Sequence, residues 1–94
     1  MDVVFTPRAK KDLKDIWQFT QFRWGSAQAD LYVSRLLDAI ELLSSIPSAG
    51  RVRPEIGKNV QCLSVGRHSI FYRQTDGIEI LAVVHQSMDQ FQVE

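Results

Sequence analysis

The sequence predicts an α+β fold, with an N-terminal strand and an antiparallel helical hairpin packed on an antiparallel sheet that three C-terminal strands complete. The first observation is a series of apolar residues at spacings of three and four through the first half of the chain, which is typical of amphipathic helices. The second is a set of three β-rich segments separated by glycine turns in the last third. Helices followed by consecutive strands favour α+β over alternating βαβ units.

The composition is that of one small globular domain spanning residues 1–94. Hydrophobic residues make up 45% and charged residues 23% of the chain, which excludes a disordered or collagen-like protein. The 11 Lys and Arg residues balance the 11 Asp and Glu residues, which argues against direct sequence-specific nucleic-acid binding. The single cysteine, Cys62, permits no internal disulfide, and no apolar run approaches a membrane span of roughly 18 residues. We therefore expect a cytoplasmic protein without a membrane association.

The first two elements are a short strand and a helix. Val3-Val4-Phe5 combines two β-branched residues with an aromatic residue, which is typical of a strand. Thr6-Pro7 predicts a helix start, because threonine is a good N-cap and proline is tolerated at the first helical position. Gly25 is predicted to end the helix, since glycine adopts positive φ without strain. The apolar face between them comprises Ala9, Leu13, Ile16, Trp17, Thr20 and Trp24.

A second helix is predicted to begin with Ser26 as its N-cap and to end before Pro47. The short connection at Gly25-Ser26 predicts an antiparallel helical hairpin. The apolar stripe of this helix comprises Ala29, Val33, Leu36, Leu37, Ile40 and Leu43, with Tyr32 at its edge. Four further apolar residues lie off the two stripes, so the hairpin has more apolar surface than one partner face requires. These four are Phe19, Phe22, Leu31 and Leu42.

The last half of the chain is predicted to be a loop followed by three strands. Residues 47–58 contain two prolines, two glycines and four charges without a period, which predicts a loop. The strands cover residues 59–65, 68–74 and 78–85, with a type II′ turn at Gly66-Arg67 and a hairpin turn at Asp76-Gly77. Residues 80–84 are apolar throughout, so the third strand is predicted to be covered on both faces. The two helices can cover only one of them, so part of the other is expected to be covered by something else, for example another chain.

No catalytic or metal-binding motif is present. His68, His85 and Cys62 lack the close spacing of zinc ligands, so neither a metal nor a cofactor is predicted. The serines lack a Gly-x-Ser-x-Gly elbow, and the glycines do not form a phosphate-binding loop. Local charge is more informative, because residues 51–73 contain five basic residues and one acidic residue. This stretch is either a solvated loop and sheet edge or a recognition surface for an acidic partner or nucleic acid.

Several short motifs occur in a fixed order along the whole chain. Thr6-Pro7, Ala9 and Asp12-Leu13 open the first helix, and Trp24-Gly25, Gln28-Ala29 and Tyr32 surround the hairpin corner. Pro47, Gly50-Arg51 and the Arg-Pro-Glu-Ile of residues 53–56 occupy the loop. His-Ser-Ile-Phe-Tyr-Arg at 68–73 forms the middle strand, and His-Gln-Ser-Met-Asp follows at 85–89. In this order and spacing the chain resembles the ParE-type toxins of the RelE/ParE superfamily, which belong to bacterial type II toxin–antitoxin systems.

The resemblance implies a toxin without catalytic activity that poisons DNA gyrase and thereby blocks replication. It also implies a ParD-type ribbon-helix-helix antitoxin as partner, in a heterotetramer or larger complex. The predicted gyrase-facing residues are Arg51, Arg53, Arg73, His85, Met88 and Asp89. The predicted antitoxin-binding residues are Trp17, Phe22, Trp24, Tyr32, Leu36 and Tyr72, through helix-in-groove and added-strand contacts.

Two alternatives stay open at this point. The first is the RelE-like branch, whose members cleave messenger RNA on the ribosome with Lys, Arg, His or Tyr side chains. The nearest such set here is Arg51, Tyr72, Arg73 and His85, but Tyr72 and Arg73 point to opposite faces of one strand. Moreover, no Arg, Lys or Tyr follows Gln86. The second alternative is an inactive relative that retains only antitoxin binding.

Overall fold

The computed structural model describes residues 2–88, which form two long helices on a five-stranded sheet. In chain order the elements are β1 (Val3–Phe5), α1 (Pro7–Trp24), α2 (Ser26–Ser45), β2 (Arg51–Val52), β3 (Val60–Val65), β4 (His68–Gln74) and β5 (Ile78–His85). Short 3-10 turns lie at Pro47–Ala49 and Gln86–Met88. The predicted α+β class is confirmed, together with the helical hairpin and the three C-terminal strands.

The sheet is mixed, with the strand order β1-β5-β4-β3-β2. β1 pairs in parallel with β5, Val3 opposite Ile78, whereas the other neighbouring strands are antiparallel. β2 lies at the far edge, where Arg51 pairs with Cys62. The sequence did not indicate the parallel pairing or the strand inside the predicted loop, because two- and three-residue strands carry no pattern that specifies their partners.

Thr6 fixes the point at which α1 leaves the sheet. Its backbone N–H donates to Ile80 O at 3.1 Å, which extends the pairing of β1 with β5. Its hydroxyl accepts the N–H of Ala9 at 3.0 Å and donates to Leu81 O at 2.9 Å. Pro7 occupies the first helical position, so the predicted helix start at Thr6-Pro7 is confirmed.

Gly25 alone connects α1 to α2. It has a φ of 93°, donates its N–H to Gln21 O at 2.9 Å, and accepts the N–H of Ala29 at 3.1 Å. An L side chain would be strained at this φ, which explains the glycine. The prediction that Ser26 caps α2 is wrong, since Gly25 is the N-cap and Ser26 is the first helical residue. Gly25 is both the C-cap of α1 and the N-cap of α2. Because glycine has no side chain, α2 has no side-chain cap.

The two helices bury one face of the sheet, here termed the helix-side face. This core is at most 3% exposed and comprises Ala9, Leu36, Ile40, Leu43, Ile70, Tyr72, Ile78, Ile80 and Val83. The outer sides of the helices carry charged residues such as Lys10, Lys14 and Glu41. Neither α1 nor α2 has an apolar stretch long enough to cross a bilayer.

The opposite face of the sheet, here termed the outer face, holds a second buried cluster. Its members are Ile56, Val60, Cys62, Phe71, Leu81, Ala82 and Val84. Ile56 comes from the segment between β2 and β3, and the Arg53 guanidinium lies 6.0 Å from the centre of the Phe71 ring. The predicted burial of β5 on both faces is confirmed. Part of this cover comes from Ile56 of the same chain, so the burial of the outer cluster does not require another chain.

A β-bulge in β5 determines which of its side chains face the helices. Phe71 pairs with Ala82 but Tyr72 pairs with Ile80, so Leu81 is an additional residue on β5. Leu81 and Ala82 consequently both face the outer cluster, and Val83 returns to the helix side.

The two tight connections between the C-terminal strands use glycine for different reasons. Gly66 has a φ of 57° and Arg67 has no positive φ, as a type II′ turn requires, so that predicted turn is confirmed. β4 and β5 are joined by residues 75–77, with the Thr75 N–H donating to Gly77 O at 2.9 Å. Gly77 is required for space, because a Cβ there would lie 2.3 Å from the carbonyl oxygen of Asp2.

Candidate functional site

A groove, here termed the basic groove, opens between the helices and one end of the sheet. Its volume is about 1250 Å³. The helices contribute Arg8, Asp12, Asp15, Ile16, Phe19, Thr20, Arg23, Trp24, Gln28, Tyr32 and Arg35. The β3–β4 turn and the end of β5 contribute Gly66, Arg67, His68, Val83, Val84 and His85. The groove therefore combines four arginines, two aspartates, two histidines and three aromatic side chains.

Tyr32 and the two histidines form a connected cluster at the sheet end of the groove. Tyr32 Oη lies 2.6 Å from His68 Nδ1 and accepts the backbone N–H of Arg67 at 3.1 Å. The His68 and His85 rings meet edge-on, with 5.2 Å between their centres. Burial and, secondarily, the nearby His85 lower the pKa of His68 from 6.5 to about 4. His68 is therefore neutral at neutral pH, and its Nδ1 shares one hydrogen bond with the Tyr32 hydroxyl.

His85 is the exposed member of this cluster. Its Nδ1 lies 2.8 Å from Ser87 Oγ and accepts the Ser87 N–H at 3.1 Å. The Gln86 N–H donates to Arg67 O at 2.9 Å, so the turn after β5 is held against the β3–β4 turn. Within residues 2–88, no group of three or more His, Cys, Asp or Glu side chains is placed to hold a metal ion.

Both aspartates of the groove are engaged with cations of their own helix. Asp12 accepts the Nε–H of Arg8, with 2.9 and 3.0 Å to its two oxygens, and it also accepts the backbone N–H of Val83 at 3.0 Å. Asp15 accepts Lys11 Nζ at 2.6 Å. These contacts offset the negative charge of the groove, and the bond to Val83 attaches α1 to the edge of β5.

The other groove arginines have no such partner. In the described part of the chain, no carboxylate oxygen lies within 4.0 Å of Arg23, Arg35 or Arg67. The Arg23 guanidinium instead lies 5.8 Å from the centre of the Phe19 ring and 5.8 Å from the Trp24 ring. The Arg35 guanidinium lies 5.9 Å from the Tyr32 ring. The groove is thus basic overall, with aromatic rings beside its cations.

The helical hairpin also exposes large apolar side chains on both sides of Gly25 in the sequence. The exposed fraction is 84% for Phe22, 67% for Trp24, 62% for Phe19 and 60% for Leu31. These four residues are here termed the hairpin apolar surface. The predicted surplus of apolar surface is confirmed, and exposed apolar groups of this size are typical of a site for a protein partner.

Four of the predicted antitoxin-binding residues are accessible. Phe22 and Trp24 belong to the hairpin apolar surface, whereas Trp17 and Tyr32 are partly buried. Trp17 Nε1 donates to Asp30 Oδ1 at 2.8 Å and so ties α1 to α2.

Leu36 and Tyr72 lie in the core, with 0% exposure, so the prediction that they contact an antitoxin is corrected. Tyr72 Oη donates to Pro47 O at 2.7 Å and accepts the N–H of Gly50 at 2.9 Å. Burial raises the pKa of the Tyr72 hydroxyl above its ordinary value. Tyr72 therefore holds the loop after α2 against the sheet, and Leu36 holds α2 itself.

The predicted target-facing residues lie on opposite faces of the sheet. Arg51 pairs with Cys62 and Arg73 pairs with Val60, so their side chains lie on the outer face. Arg53 lies there too, above the Phe71 ring. Arg53 Nε also donates to Glu55 at 2.7 Å, and Arg73 Nε donates to Lys58 O at 3.2 Å. These arginines form an outer-face basic group at the β2 side of the sheet.

His85, in contrast, lines the basic groove on the helix side. Three strand spacings of about 4.8 Å and three residues of about 3.3 Å place the Arg51 and His85 backbones roughly 17 Å apart. The two regions therefore do not form one continuous edge, and Arg51, Tyr72, Arg73 and His85 do not converge as a nuclease site. Met88 ends the turn after β5, and Asp89 lies outside the described residues.

Sequence reasoning missed most of the basic groove. Asp12 bonds to Val83, which lies 71 positions later in the sequence, and no local pattern predicts such a bond. A signal for the histidines was available, because His68 begins one strand of a hairpin and His85 ends the other, so pairing brings them together. Arg35 carried no signal, since it is an isolated cation on α2, whereas Arg67 belongs to the basic stretch of residues 51–73.

This chain is similar to known proteins along most of its length. The family model of the "ParE toxin of type II toxin-antitoxin system, parDE" matches residues 3–90. A Mycobacterium tuberculosis protein named Toxin ParE1 is 40% identical over 88 residues, which are 92% of this chain and 90% of the relative. Toxin ParE1 of Caulobacter vibrioides is 38% identical over 82 residues, which are 87% of this chain and 85% of the relative.

The fold has a counterpart among solved structures. A chain from the structure "Chromosomal ParDE TA system from P. aeruginosa" superposes with a TM-score of 0.79, covering 90% of this chain and 95% of that one. Because the two sequences are only 23% identical, the match shows the shared fold alone.

Proposed function

Because this chain belongs to the ParE toxin family of type II toxin–antitoxin systems, we propose that it acts by inhibiting DNA gyrase and that a ParD-type antitoxin neutralises it. In this proposal the chain has no catalytic activity of its own and works by binding. The family match along residues 3–90 is the observation that carries the proposal.

The hairpin apolar surface supports the antitoxin part of the proposal. Phe22, Trp24 and Leu31 expose more than half of their side chains, which is unfavourable in water and is relieved when a partner covers them. An amphipathic helix of the antitoxin fits such a surface, with its apolar face on these rings. We propose Trp17, Phe22, Trp24 and Tyr32 as its contacts, in a heterotetramer or larger complex.

One observation favours gyrase inhibition over messenger RNA cleavage. The side chains that would form a nuclease site, Arg51, Tyr72, Arg73 and His85, are distributed over a buried core and two sheet faces. General acid–base catalysis needs these groups within hydrogen-bond reach of one phosphate.

The outer-face basic group of Arg51, Arg53 and Arg73 is the proposed target-facing surface, with His85 and Met88 as a second region.

A supercoiling and cleavage assay with purified gyrase tests the target. We expect micromolar chain to inhibit supercoiling and to trap cleaved DNA, and equimolar antitoxin to reverse both effects. Absence of inhibition and of trapped DNA would reject gyrase as the target. Site-specific cuts in messenger RNA after induction, detected by primer extension, would favour the ribonuclease alternative, and unimpaired growth under strong expression would favour an inactive relative.

The antitoxin contact is tested by calorimetry with a purified ParD-type antitoxin that neutralises this chain. Phe22→Ala removes an 84% exposed ring without disturbing the core, so the chain should stay folded while antitoxin affinity falls at least tenfold. Lys14→Ala, on the charged side of α1, is the matched control and should bind normally. Equal affinities of the two variants would exclude Phe22 from the interface.

A further inference from the structure

We propose that the basic groove binds single-stranded nucleic acid independently of sequence, with phosphates on Arg35 and Arg67 and a base stacked on Trp24. The proposal goes beyond gyrase inhibition and does not depend on it, because the purified chain should bind the nucleic acid without gyrase or an antitoxin. It is compatible with the zero net charge, since the relevant charge is local.

The size of the groove favours an extended ligand. At about 1250 Å³ it exceeds the roughly 300–1000 Å³ of pockets that hold compact small molecules. It runs between two helices and the end of a sheet, and it stays open to solvent rather than enclosing its contents. A flexible strand can follow such a groove without being enclosed.

The charge of the groove favours an anion. Asp12 and Asp15 are already paired with Arg8 and Lys11, at 2.9 and 2.6 Å, so they contribute little net negative potential. Arg23, Arg35 and Arg67 have no carboxylate within 4.0 Å among residues 2–88. Guanidinium groups suit phosphate oxygens because their planar N–H donors can bind two oxygens at once.

The aromatic side chains distinguish nucleic acid from an acidic peptide. Trp24 and Phe19 are 67% and 62% exposed, and the Arg23 guanidinium lies 5.8 Å from both rings. Rings interleaved with cations are the arrangement that binds single strands, in which bases stack on the rings while phosphates contact the cations. A carboxylate chain would use the arginines but would leave these ring faces unoccupied, and a duplex would keep its bases stacked inside.

The test is fluorescence anisotropy of a labelled oligothymidine titrated with the purified chain at several salt concentrations. We expect binding in the micromolar range at low salt, with log affinity falling linearly against log salt by about 0.7 per neutralised phosphate. The double variant Arg35→Ala and Arg67→Ala should weaken binding at least tenfold and reduce the slope by about 1.4. Both side chains are exposed, and the Arg67 N–H bond to Tyr32 is retained.

The matched control is Lys10→Ala with Lys14→Ala, which removes the same charge from the side of α1 that does not line the groove. It should bind within about twofold of the original chain, whereas Trp24→Ala should bind at least about fivefold more weakly, the stacking contribution of one base. Equal weakening by both double variants would reduce the interaction to diffuse electrostatics and overturn the proposal. Undetectable binding would also overturn the proposal. So would displacement of the oligonucleotide by a DNA duplex or by polyglutamate that is added at the same concentration of negative charge.

Discussion

At the scale of single residues, the Tyr72 hydroxyl has the most defined structural task. It bonds to both Pro47 O and Gly50 N–H, and a Cβ on Gly50 would lie 2.7 Å from the same oxygen. We predict that Tyr72→Phe lowers the free energy of unfolding by about 1–3 kcal/mol, because the Gly50 N–H loses its bond to the hydroxyl and Pro47 O keeps only the 3.4 Å bonds from Gln61 and Gln74. Urea unfolding followed by tryptophan fluorescence measures the change. Ser48→Ala, which removes an exposed hydroxyl from the same loop, should leave the unfolding midpoint unaltered; an equal loss in both variants would refute the assigned role.

His68 makes the stability dependent on pH. Its folded pKa of about 4 lies below the unfolded value of about 6.5, so the unfolded chain takes up the proton first. The contribution of His68 is therefore complete above pH 6.5 and is lost as the pH falls towards 4. With allowance for the partial exposure of the ring, we expect a loss of about 1–2 kcal/mol.

Two measurements check this behaviour. The ring protons of His68 should titrate by NMR with a midpoint near pH 4, and His68→Gln should flatten the pH dependence of unfolding between 6.5 and 4. His85→Gln, at the exposed side of the ring pair, should retain most of that dependence. A His68 midpoint near 6.5 would contradict the burial on which the prediction rests.

At the scale of elements, the attachment of α1 to β5 depends on one carboxylate. β1 ends at Phe5, so no strand among residues 2–88 borders the edge of β5 beyond Leu81, and Asp12 accepts the Val83 N–H there. We predict that Asp12→Ala costs about 1–3 kcal/mol, because this N–H loses its partner at a partly buried site.

Asp15→Ala provides the comparison on the same helix. Asp15 makes only an exposed ion pair with Lys11 four residues earlier, and such a pair contributes about 0.3–0.5 kcal/mol. In thermal melts, the melting temperature of Asp12→Ala should therefore be well below that of Asp15→Ala. Similar melting temperatures would show that the bond to Val83 contributes nothing measurable.

Asp15 contacts a residue of its own helix, whereas Asp12 contacts a distant strand. This difference between local and distant contacts also explains which features the sequence could predict. The limits of the helices followed from Thr6-Pro7 and Gly25, whose effects act on neighbouring backbone groups. The exposed rings of Phe19 and Phe22 followed from the helical period. The contacts of Asp12 with Val83 and of Tyr32 with His68 depend on how distant elements are placed, which no local pattern encodes. Leu36 was assigned to an interface because an apolar stripe does not tell which of its members faces the sheet.

At the scale of the whole molecule, two apolar clusters share one sheet and should unfold together. Leu36 belongs to the helix-side core and Phe71 to the outer cluster, and β4 and β5 supply residues to both. We predict losses of about 2–5 kcal/mol for Leu36→Ala and about 3–5 kcal/mol for Phe71→Ala. Both variants should keep a single transition, because neither face can retain its packing once the shared strands separate.

Leu37→Ala is the control for Leu36, since the adjacent side chain is 42% exposed. It should cost less than about 1 kcal/mol in the same urea titration. Two separate transitions in the Phe71 variant would mean that the outer cluster is an independently stable layer.

The additional residue at Leu81 has a consequence for the chemistry of the groove. Side chains on a strand alternate in an odd–even order, and the bulge inverts that order for everything after it. If Leu81 were an ordinary paired residue, Ala82 and Val84 would lie on the helix side with Ile80, and His85 would lie on the outer face. Deleting Leu81 should therefore remove the bulge while Ile80 stays opposite Tyr72 and Ala82 stays opposite Phe71, so His85 should remain paired with His68. The bulge thus absorbs the additional residue of β5 and keeps His85 on the helix side, in the basic groove and away from the outer-face basic group.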